Sequence, residues 1–425
     1  MKKITRILLL CVLCLEACAQ NFPAPADDSG HVRVCAKLEG GQPVKIVCFG
    51  DSITGVYYHT GGRRSWCDLL GIALTKIIPK AQIEMINAGT SGHDTNAGLK
   101  RMETDVLRHA PDLVVVMFGM NDVRSLTPVV FRDNLRTMVQ RAHDGGAEVM
   151  LMTPNAIGPD DPVRPPARLD EYVKIVREVG RELELTVVDT HSIYAAIMAT
   201  DPAAWKRLMS DTIHPNLRGH RIFAEAVARA ITGSQVLLTE LPVLHPGLPC
   251  VLARLNARQT VRVVAMPPYD TLIAPALRHR FPDCVVEVTT WKPDAKSLAA
   301  IEAQAKQTGW WKFRGKNVLP RPDLVVLAVP SAAQAPTAEQ FYHSYYWIMN
   351  WSLSNGKKPA QPEWDCLVVL PSVAEEEMGP DKCLIDERAL EAIGGQDIPW
   401  LRRQLGERRG AQLLFSAWVD TLLDP

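Results

Sequence analysis

The sequence has no excess of charge of either sign, because its 47 Lys and Arg residues balance its 47 Asp and Glu residues. A balanced surface gives no electrostatic basis for nucleic acid or an anionic membrane as the main partner. Glycine and proline, at 27 and 31 residues, are close to ordinary usage, which excludes the fibrous classes. With 47% hydrophobic residues among 425, the chain is long and apolar enough to bury the cores of two domains.

The ten cysteines lack the spacing of a metal site or a redox pair. Three of them fall within residues 1–19, and the others are scattered along the chain with no CxxC motif. Cys48, Cys284 and Cys366 lie inside apolar, strand-like runs, where a free cysteine behaves as a small buried hydrophobe. The sequence therefore predicts no metal and no cofactor, and it favours no particular disulfide.

The N-terminus lacks an apolar run long enough to cross a bilayer. Basic residues up to Arg6 precede a short apolar run over residues 7–15, which is the pattern of an export signal. Residues 1–19 are therefore predicted to be a signal peptide, and the protein to be exported to the periplasm or cell envelope. Residues 20–43 are predicted to be a flexible tether, since they begin with a run rich in proline, alanine and aspartate.

Two interpretations of the cleavage site stay open. The run Ala17-Cys18-Ala19 fits the small-x-small rule of ordinary signal peptidase. Residues 15–18 also resemble a bacterial lipobox, in which Cys18 would carry a lipid, although Glu16 is unusual there. Membrane anchoring is expected only through such a lipid.

Short apolar runs alternate with helical patterns over residues 44–233. The run 113–118 (LVVVMF) is continuously apolar, as expected of a strand whose two faces are both covered by helices. This rhythm predicts a three-layer α/β/α domain with a parallel sheet, in which the chemistry lies at the carboxyl ends of the strands. The predicted strands cover residues 44–49, 83–86, 113–118, 149–152 and 186–189.

The rest of the chain repeats the rhythm. Pro322-Asp323-Leu324 nearly duplicates Pro111-Asp112-Leu113, and each follows a comparable length of chain after the first strand of its half. We interpret residues 261–425 as a second, degenerate copy of the same α/β fold, joined by a linker over 234–260. The alternative is that any α/β domain contains such runs.

A Gly50-Asp51-Ser52 tripeptide follows the first predicted strand, but by itself it is ordinary turn chemistry. Residues 87–92 (NAGTSG) follow the second strand, 119–122 (GMND) follow the third, and 211–216 (DTIHPN) precede the last helix of this half. All four segments are expected to converge on one rim of the sheet. In this order they resemble the Ser, Gly, Asn and His blocks of the SGNH (GDSL) hydrolase family, whose fold is flavodoxin-like.

The resemblance implies a serine hydrolase. A serine is a poor nucleophile at its own pKa and needs a base, and an imidazole suits that role because it titrates near neutral pH. Ser52 is the implied nucleophile, His214 the base, and Asp211 the residue that holds the imidazole in the useful tautomer. The family's oxyanion donors are the backbone N–H groups of Ser52 and Gly92 and the side-chain amide of Asn121.

Asp51 and Asp122 are expected to support these motifs. Taken singly, some of the residues have a plainer interpretation: Asn121 would equally well cap a loop or a helix. Two other histidines, His59 and His93, follow the first two blocks. The sequence leaves open whether they line the cleft or are solvated loop residues.

The second half lacks these motifs at the matching places. Pro267-Pro268-Tyr269 follows its first predicted strand, with no serine there, so the domain is predicted to be non-catalytic. Its aromatic residues at 341–351, together with Trp310 and Trp311, allow two interpretations. They form either a sugar-binding platform or an ordinary core or domain interface.

The sequence thus predicts an exported esterase that hydrolyses a small-molecule or glycan ester, with an O-acetyl group on a glycan as the expected substrate. Two alternatives remain. One is a non-catalytic carbohydrate-binding or scaffold protein of the cell envelope. The other is an O-acyltransferase that uses the same Ser52, His214 and Asp211.

Overall fold

The structure is a computed structural model. The predicted signal peptide, its Cys18, and the start of the predicted tether lie outside the residues that the structure describes. Among the described residues, none of the helices has both the length and the apolar character that crossing a membrane requires. The structure describes residues 32–55, 58–158, 161, 163–239, 241, 247–294, 296–308, 321–354, 362–374, 380–393, 398–404 and 406–424.

The described chain folds into two compact units. The first consists of the described residues up to Gly55 together with 66–213 and 221–238. The second consists of 58–65, 214–220 and the described residues from 239 onward. The first correction to the predicted domains is that two short segments of the predicted 44–233 domain belong to the second unit.

The first unit is built on a five-stranded parallel sheet in the order β2-β1-β3-β4-β5. All five residues of β3 are buried, because helices cover both faces of the sheet. The strands are β1 (Pro43–Gly50), β2 (Gln82–Gly89), β3 (Leu113–Met117), β4 (Glu148–Met152) and β5 (Val187–Val188). The helices are α1 (Val32–Glu39), α2 (Trp66–Ile77), α3 (Thr95–Asp105), α4 (Asp122–Ser125), α5 (Pro128–Asp144), α6 (Pro166–Glu182), α7 (Thr190–Thr200), α8 (Pro202–Arg207) and α9 (Leu217–Thr232).

The register of the sheet aligns the carboxyl ends of its three adjoining strands. Gly50, the last residue of β1, pairs with Gly89 at the end of β2 and with Met117 at the end of β3. The segments that follow these strands therefore leave the sheet at the same edge. The predicted parallel α/β/α fold is confirmed, and this edge is where the motif residues were expected.

The predicted tether ends earlier than residue 43. Val34 and Leu38 of α1 are buried, one helical turn apart on the same face. The backbone N–H of Val34 donates to the carboxylate of Glu148 at 3.0 Å, and Lys37 Nζ donates to Asp112 Oδ1 at 2.5 Å. A short amphipathic helix thus precedes β1, and the tether prediction was wrong over residues 32–39.

The second unit has its own five-stranded parallel sheet, in the order β10-β9-β8-β6-β7. Read from the other edge, the order is β7-β6-β8-β9-β10, in which the second strand of the unit precedes the first and the third, fourth and fifth follow. This is the strand order of the first unit, so the prediction of a second similar fold is confirmed. The strands are β6 (Val261–Ala265), β7 (Val286–Thr290), β8 (Leu324–Leu327), β9 (Asp365–Val369) and β10 (Trp400–Leu401). The helices are α10 (Pro249–Asn256), α11 (Tyr269–Arg280), α12 (Leu298–Thr308), α13 (Ala338–Ser352), α14 (Pro371–Ala374), α15 (Pro380–Ile393) and α16 (Ala411–Leu422).

The duplicated Pro-Asp pair makes the same contact in both units. Asp112 Oδ2 accepts the backbone N–H of Lys45 at 2.8 Å, just before β3. Asp323 Oδ2 accepts the backbone N–H of Arg262 at 2.8 Å, just before β8. In each case the carboxylate ties the central strand of the sheet to the first strand of the unit.

In both units a carboxylate at the start of the fourth strand holds the helix that precedes the first strand. In the first unit Glu148, at the start of β4, accepts the N–H of Val34 at 3.0 Å. In the second unit Asp365, at the start of β9, accepts the N–H of Val251 at 2.9 Å. Val251 lies in α10, so the predicted linker over 234–260 is wrong at its end: that helix belongs to the second α/β unit.

The aromatic residues of α13 belong to the core of the second unit. Tyr345, Tyr346, Trp347 and Trp351 are all buried there. This supports the core interpretation of these four side chains rather than an exposed sugar-binding platform. Trp310 and Trp311 lie outside the described residues.

Candidate functional site

Ser52 lies in the turn that directly follows β1. Only a glycine fits at the end of that strand, because a Cβ on Gly50 would stand 2.2 Å from Thr54 Oγ1 and 2.6 Å from the carbonyl oxygen of Met117. The turn is closed by buried Asp51, whose Oδ1 accepts the backbone N–H of Ile53 at 2.9 Å. Ser52 is therefore held at the carboxyl edge of the sheet, where the sequence predicted it.

The loop after β2 needs glycine for two different reasons. A Cβ on Gly89 would stand 2.2 Å from the backbone nitrogen of Gly55, so the loop and the Ser52 turn approach each other closely. Gly92 has a φ of +74°, in the left-handed region that favours glycine, and nothing lies within 4 Å of a Cβ built there. Open space therefore adjoins Gly92, as an oxyanion donor requires.

Asn121 connects the three strand-end segments. Its side-chain Nδ2 donates to the carbonyl oxygen of His93 at 3.1 Å, in the loop after β2. The same nitrogen donates to Asp51 Oδ2 at 3.4 Å, in the turn after β1. The structure thus brings Asp51, the Gly92 loop and Asn121 together, and the predicted convergence on one edge of the sheet holds for these three segments.

Asp122 anchors the loop after β3. Its Oδ1 accepts the backbone N–H of Thr95 at 2.9 Å and the Thr95 hydroxyl at 2.6 Å, while its Oδ2 accepts the N–H of Gly119 at 3.0 Å. Burial raises the pKa of Asp122 to about 6, although these hydrogen bonds from Thr95 and Gly119 act in the opposite direction. Asp122 therefore joins the loop after β3 to the start of α3.

Arg164, which the sequence analysis did not identify, contacts Asn121 from the other side. Its Nη2 donates to Asn121 Oδ1 at 3.4 Å and its Nε donates to the carbonyl oxygen of Met120 at 2.8 Å. Arg164 is buried, and Asp161 balances its charge at 3.5 Å. With the amide oxygen of Asn121 facing this guanidinium, the amide nitrogen faces Asp51 and His93.

The segment that carries Asp211 is hydrogen-bonded to Asp161, the ion-pair partner of Arg164. Thr212 Oγ1 donates to Asp161 Oδ2 at 2.9 Å, and Asp211 Oδ1 accepts the N–H of Ile213 at 2.9 Å. Asn155, in the loop after β4, donates from Nδ2 to the carbonyl oxygen of Ile213 at 3.1 Å. Asp211 is therefore held by local hydrogen bonds within the first unit.

Arg101 of α3 supports the first two segments and was likewise missed. It donates from Nη2 to the carbonyl oxygen of Gly50 and from Nη1 to that of Ala88, each at 2.7 Å. Its Nε donates to His93 Nδ1 at 3.1 Å. Burial lowers the pKa of His93, and the charge of Arg101 lowers it further. His93 thus acts as a neutral acceptor in the loop, and it is half-buried rather than solvated.

His214 belongs to the second unit, while Ser52, Gly92, Asn121 and Asp211 belong to the first. Within the second unit its ring stacks on the ring of His59, with the centroids 3.6 Å apart and the planes at 13°. His220, six residues later in the chain, is buried; burial lowers its pKa to about 3, and the nearby His214 contributes in the same direction.

The second unit carries no serine at the place that corresponds to Ser52. Lys45 and Arg262 make the same contact in the two units, and Tyr269 follows Arg262 at the distance at which Ser52 follows Lys45. The Tyr269 side chain is buried and packs on Phe415 with ring centroids 4.8 Å apart. A core aromatic residue therefore replaces the nucleophile in this copy.

Comparison with known proteins gives matches to the first half of the chain. Residues 48–222 match the model of the GDSL-like lipase/acylhydrolase family. The acetylxylan esterase of Geobacillus stearothermophilus is 31% identical over 213 residues, covering 45% of this chain and 95% of that protein. The arylesterase of Vibrio mimicus is 29% identical over 199 residues, covering 46% and 92%. The solved lipase/acylhydrolase from Enterococcus faecalis aligns with 32% identity and a TM-score of 0.39, over 46% of this chain and 100% of its own.

Proposed function

Because the chain belongs to the GDSL-like lipase/acylhydrolase family, we propose that it is a serine esterase whose nucleophile is Ser52. Its class is carboxylic ester hydrolase, as for the relatives named above. The observation that carries the proposal is the position of Asn121, whose amide nitrogen lies beside Asp51 and the Gly92 loop. That is where a donor to the oxyanion of an acyl-serine reaction has to be.

The proposed reaction has two halves. In the first, Ser52 Oγ attacks the ester carbonyl carbon while the imidazole of His214 takes its proton, and the alcohol then leaves with that proton as the acyl-serine forms. In the second, His214 takes a proton from water as the water oxygen attacks the acyl carbon, and it then gives this proton to Ser52 Oγ as the acyl–oxygen bond breaks and the acid leaves. Asp211, three residues before His214 in the chain, is proposed to hold the imidazole and to stabilise its protonated form.

Three donors are proposed to stabilise the negative oxygen of each tetrahedral intermediate. They are the backbone N–H groups of Ser52 and Gly92 and the Nδ2 group of Asn121. A donor of this kind typically lowers the barrier by about 3 kcal/mol. The Asn121 nitrogen donates to the carbonyl oxygen of His93 at 3.1 Å and to Asp51 Oδ2 at 3.4 Å, and the longer of these bonds is the weaker one for a developing oxyanion to displace.

We propose O-acetyl esters of a glycan as the substrate class. The support is the name of a relative that matches over almost its whole length, an acetylxylan esterase. The test compares acetate release from acetylated xylo-oligosaccharides with hydrolysis of p-nitrophenyl esters of short and long acyl chains. Preference for acetyl groups supports the proposal, and a higher kcat/KM for long acyl chains contradicts it.

We also propose that the protein is exported to the periplasm or cell envelope, on the basis of the signal-like residues 1–19. Fractionation of cells that express the full chain tests the location. Labelling with a radioactive fatty acid, in parallel with a Cys18→Ser variant, tests the lipid anchor. A labelled band that is lost in Cys18→Ser supports the anchor, and an unlabelled protein in the soluble periplasmic fraction contradicts it.

The serine chemistry itself is tested with a fluorophosphonate, which reacts only with an activated serine. Intact mass should increase by one adduct, and peptide mapping should place that adduct on Ser52. An unmodified protein under conditions that label a known serine esterase would contradict the proposed nucleophile.

A further inference from the structure

In the second unit the buried Tyr269 stands at the place that corresponds to Ser52, yet this unit contains the histidine that we assign as the base. We propose that the second unit positions this base, and that His59, held in place by Tyr346 and Trp347, is the positioning residue that does so. The inference rests on the proposed function of His214, and it assigns a role to the residues of the second unit that pack around this base.

His59 is fixed through its backbone. It lies in a short 3₁₀ turn, Tyr58–Thr60, and its side chain is only 5% exposed. The hydroxyl of Tyr346, on α13, donates a hydrogen bond to the carbonyl oxygen of His59. Tyr346 is itself 4% exposed, so this bond is shielded from water. The turn therefore has a defined position on the core helix of the second unit.

His59 is also fixed through its ring. The imidazole and the ring of Trp347 of α13 form a T-shaped pair, with centroids 5.7 Å apart and the planes at 81°. Trp347 in turn stacks on Trp351 one helical turn later, at 4.9 Å and 28°. T-shaped and offset-stacked arrangements are the favoured geometries of aromatic pairs. His59 thus continues a row of buried rings that begins in the core of the unit.

One face of the His59 ring is stacked on the ring of His214, at 3.6 Å between centroids and 13° between planes. A nearly parallel contact at this distance restricts rotation of the His214 side chain about its Cα–Cβ and Cβ–Cγ bonds. A base must be held in the correct orientation for proton transfer, and misplacement by an ångström is costly.

The nearby His220 does not compete with His214 for the role of base. Burial lowers the pKa of His220 to about 3, so its imidazole is neutral under ordinary conditions. His214 is therefore the ring that is proposed to take up and release the proton. It stands at the end of a row of rings that continues through His59, Trp347 and Trp351.

Two pairs of variants test the inference, each measured for kcat and KM on p-nitrophenyl acetate and for the rate of fluorophosphonate labelling. His59→Ala removes the stacked ring, and His59→Phe replaces it with another flat ring. Tyr346→Phe removes the hydroxyl that holds the His59 carbonyl. Tyr345→Phe is the matched control, because this neighbouring hydroxyl is buried and has no hydrogen-bond partner among the described residues.

We expect His59→Ala to lower kcat and the labelling rate on the order of tenfold, the effect of one aromatic contact, with KM nearly unchanged. His59→Phe should recover most of this loss. Tyr346→Phe should lower kcat roughly threefold, as expected for one lost neutral hydrogen bond, while Tyr345→Phe should leave kcat unchanged. Thermal unfolding of each variant shows that the kinetic loss occurs in folded protein.

Wild-type kcat in both His59→Ala and Tyr346→Phe would overturn the inference, and so would an equal loss in His59→Ala and His59→Phe, because the contact would then not act through stacking. If His59→Ala fails to fold, Tyr346→Phe against Tyr345→Phe decides alone. Failure of the underlying function is recognised separately: a Ser52→Ala variant that keeps its turnover contradicts the proposed esterase, whatever the His59 variants do.

Discussion

Asn121 Nδ2 donates to Asp51 Oδ2 at 3.4 Å, which joins the loop after β3 to the turn that carries Ser52. Asp51 at the same time accepts the N–H of Ile53 at 2.9 Å within that turn. The residue next to the nucleophile is therefore held by its own turn and by the proposed oxyanion donor. Changes at Asn121, at its support Arg164, and at Gly92 are consequently expected to affect catalysis in distinguishable ways.

Asn121→Ala removes the side-chain donor without adding bulk. We expect kcat to fall by about 10²–10³, the loss seen for a missing oxyanion-hole donor, with little change in KM. Steady-state hydrolysis of p-nitrophenyl acetate measures both constants. Asn96→Ala, at an exposed position on α3, is the control. Undiminished kcat in Asn121→Ala would remove this residue from the oxyanion hole.

Arg164→Lys keeps the positive charge but loses the fork that contacts Asn121 Oδ1 and the carbonyl oxygen of Met120. We expect kcat to fall on the order of tenfold, since a buried charge-assisted hydrogen bond contributes about 1.5–3 kcal/mol. Arg168→Lys, at an exposed position early in α6, is the control.

A double-mutant cycle shows whether Arg164 acts through Asn121. In the Asn121→Ala background, the further change Arg164→Lys should have almost no additional effect on kcat, because the amide that Arg164 orients is already gone. Additive losses would mean that Arg164 supports catalysis by some other route.

Gly92→Ala introduces a side chain at a φ of +74°, where nothing lies within 4 Å of its Cβ. The steric room is ample, but the left-handed backbone costs an alanine about 1–2 kcal/mol and shifts the N–H group. Gly146→Ala is a matched control, because Gly146 has a φ of +84° and equally open surroundings in the turn between α5 and β4. Both variants should lose similar stability in chemical denaturation, and only Gly92→Ala should lose activity. Equal activity of the two variants would contradict the role of the Gly92 N–H.

Asp122 is expected to make the stability of the protein fall as the pH rises from about 4 to about 6. Its folded-state pKa is raised to about 6 from an unfolded value of 3.8, so the folded chain keeps a proton that the unfolded chain releases. The free energy of unfolding therefore decreases across this window and is level above it.

The matched variant for this prediction is Asp122→Asn, which cannot titrate. Its stability, measured by denaturation at several pH values, is subtracted from that of the wild type. The difference should decline by up to roughly 3 kcal/mol between about pH 4 and pH 6, the equivalent of two pKa units. A difference that is flat or that rises with pH would show that Asp122 is ionised in the folded protein at low pH.

The sequence predicted the strand-end motifs because each is a local pattern that follows an apolar run. Ser52, Asn121 and Asp122 occupy the predicted ends of their strands for that reason. Arg164 lies near a helix start with no motif around it, and its contacts with Asn121 depend on tertiary packing. His59 was identified only as a residue near the first block, because its neighbours Tyr346 and Trp347 are distant in the chain.

The boundaries were less predictable than the strands. The helices α1 and α10 are short, and each is identified by packing against its sheet rather than by a long apolar period. The predicted duplication depended on the repeated Pro-Asp pair. The matched hydrogen bonds of Asp112 and Asp323 give that repeat a physical basis, since each ties the central strand to the first.

The most direct test measures p-nitrophenyl acetate hydrolysis by Ser52→Ala beside wild type and a Ser234→Ala control, with circular dichroism and thermal unfolding of all three. We predict that Ser52→Ala keeps the wild-type fold and melting temperature and loses on the order of 10⁴-fold or more in kcat, as expected when a triad nucleophile is removed. Ser234→Ala should match the wild type. A folded Ser52→Ala protein that turns over the ester at the wild-type rate would contradict the assignment of Ser52 as the nucleophile.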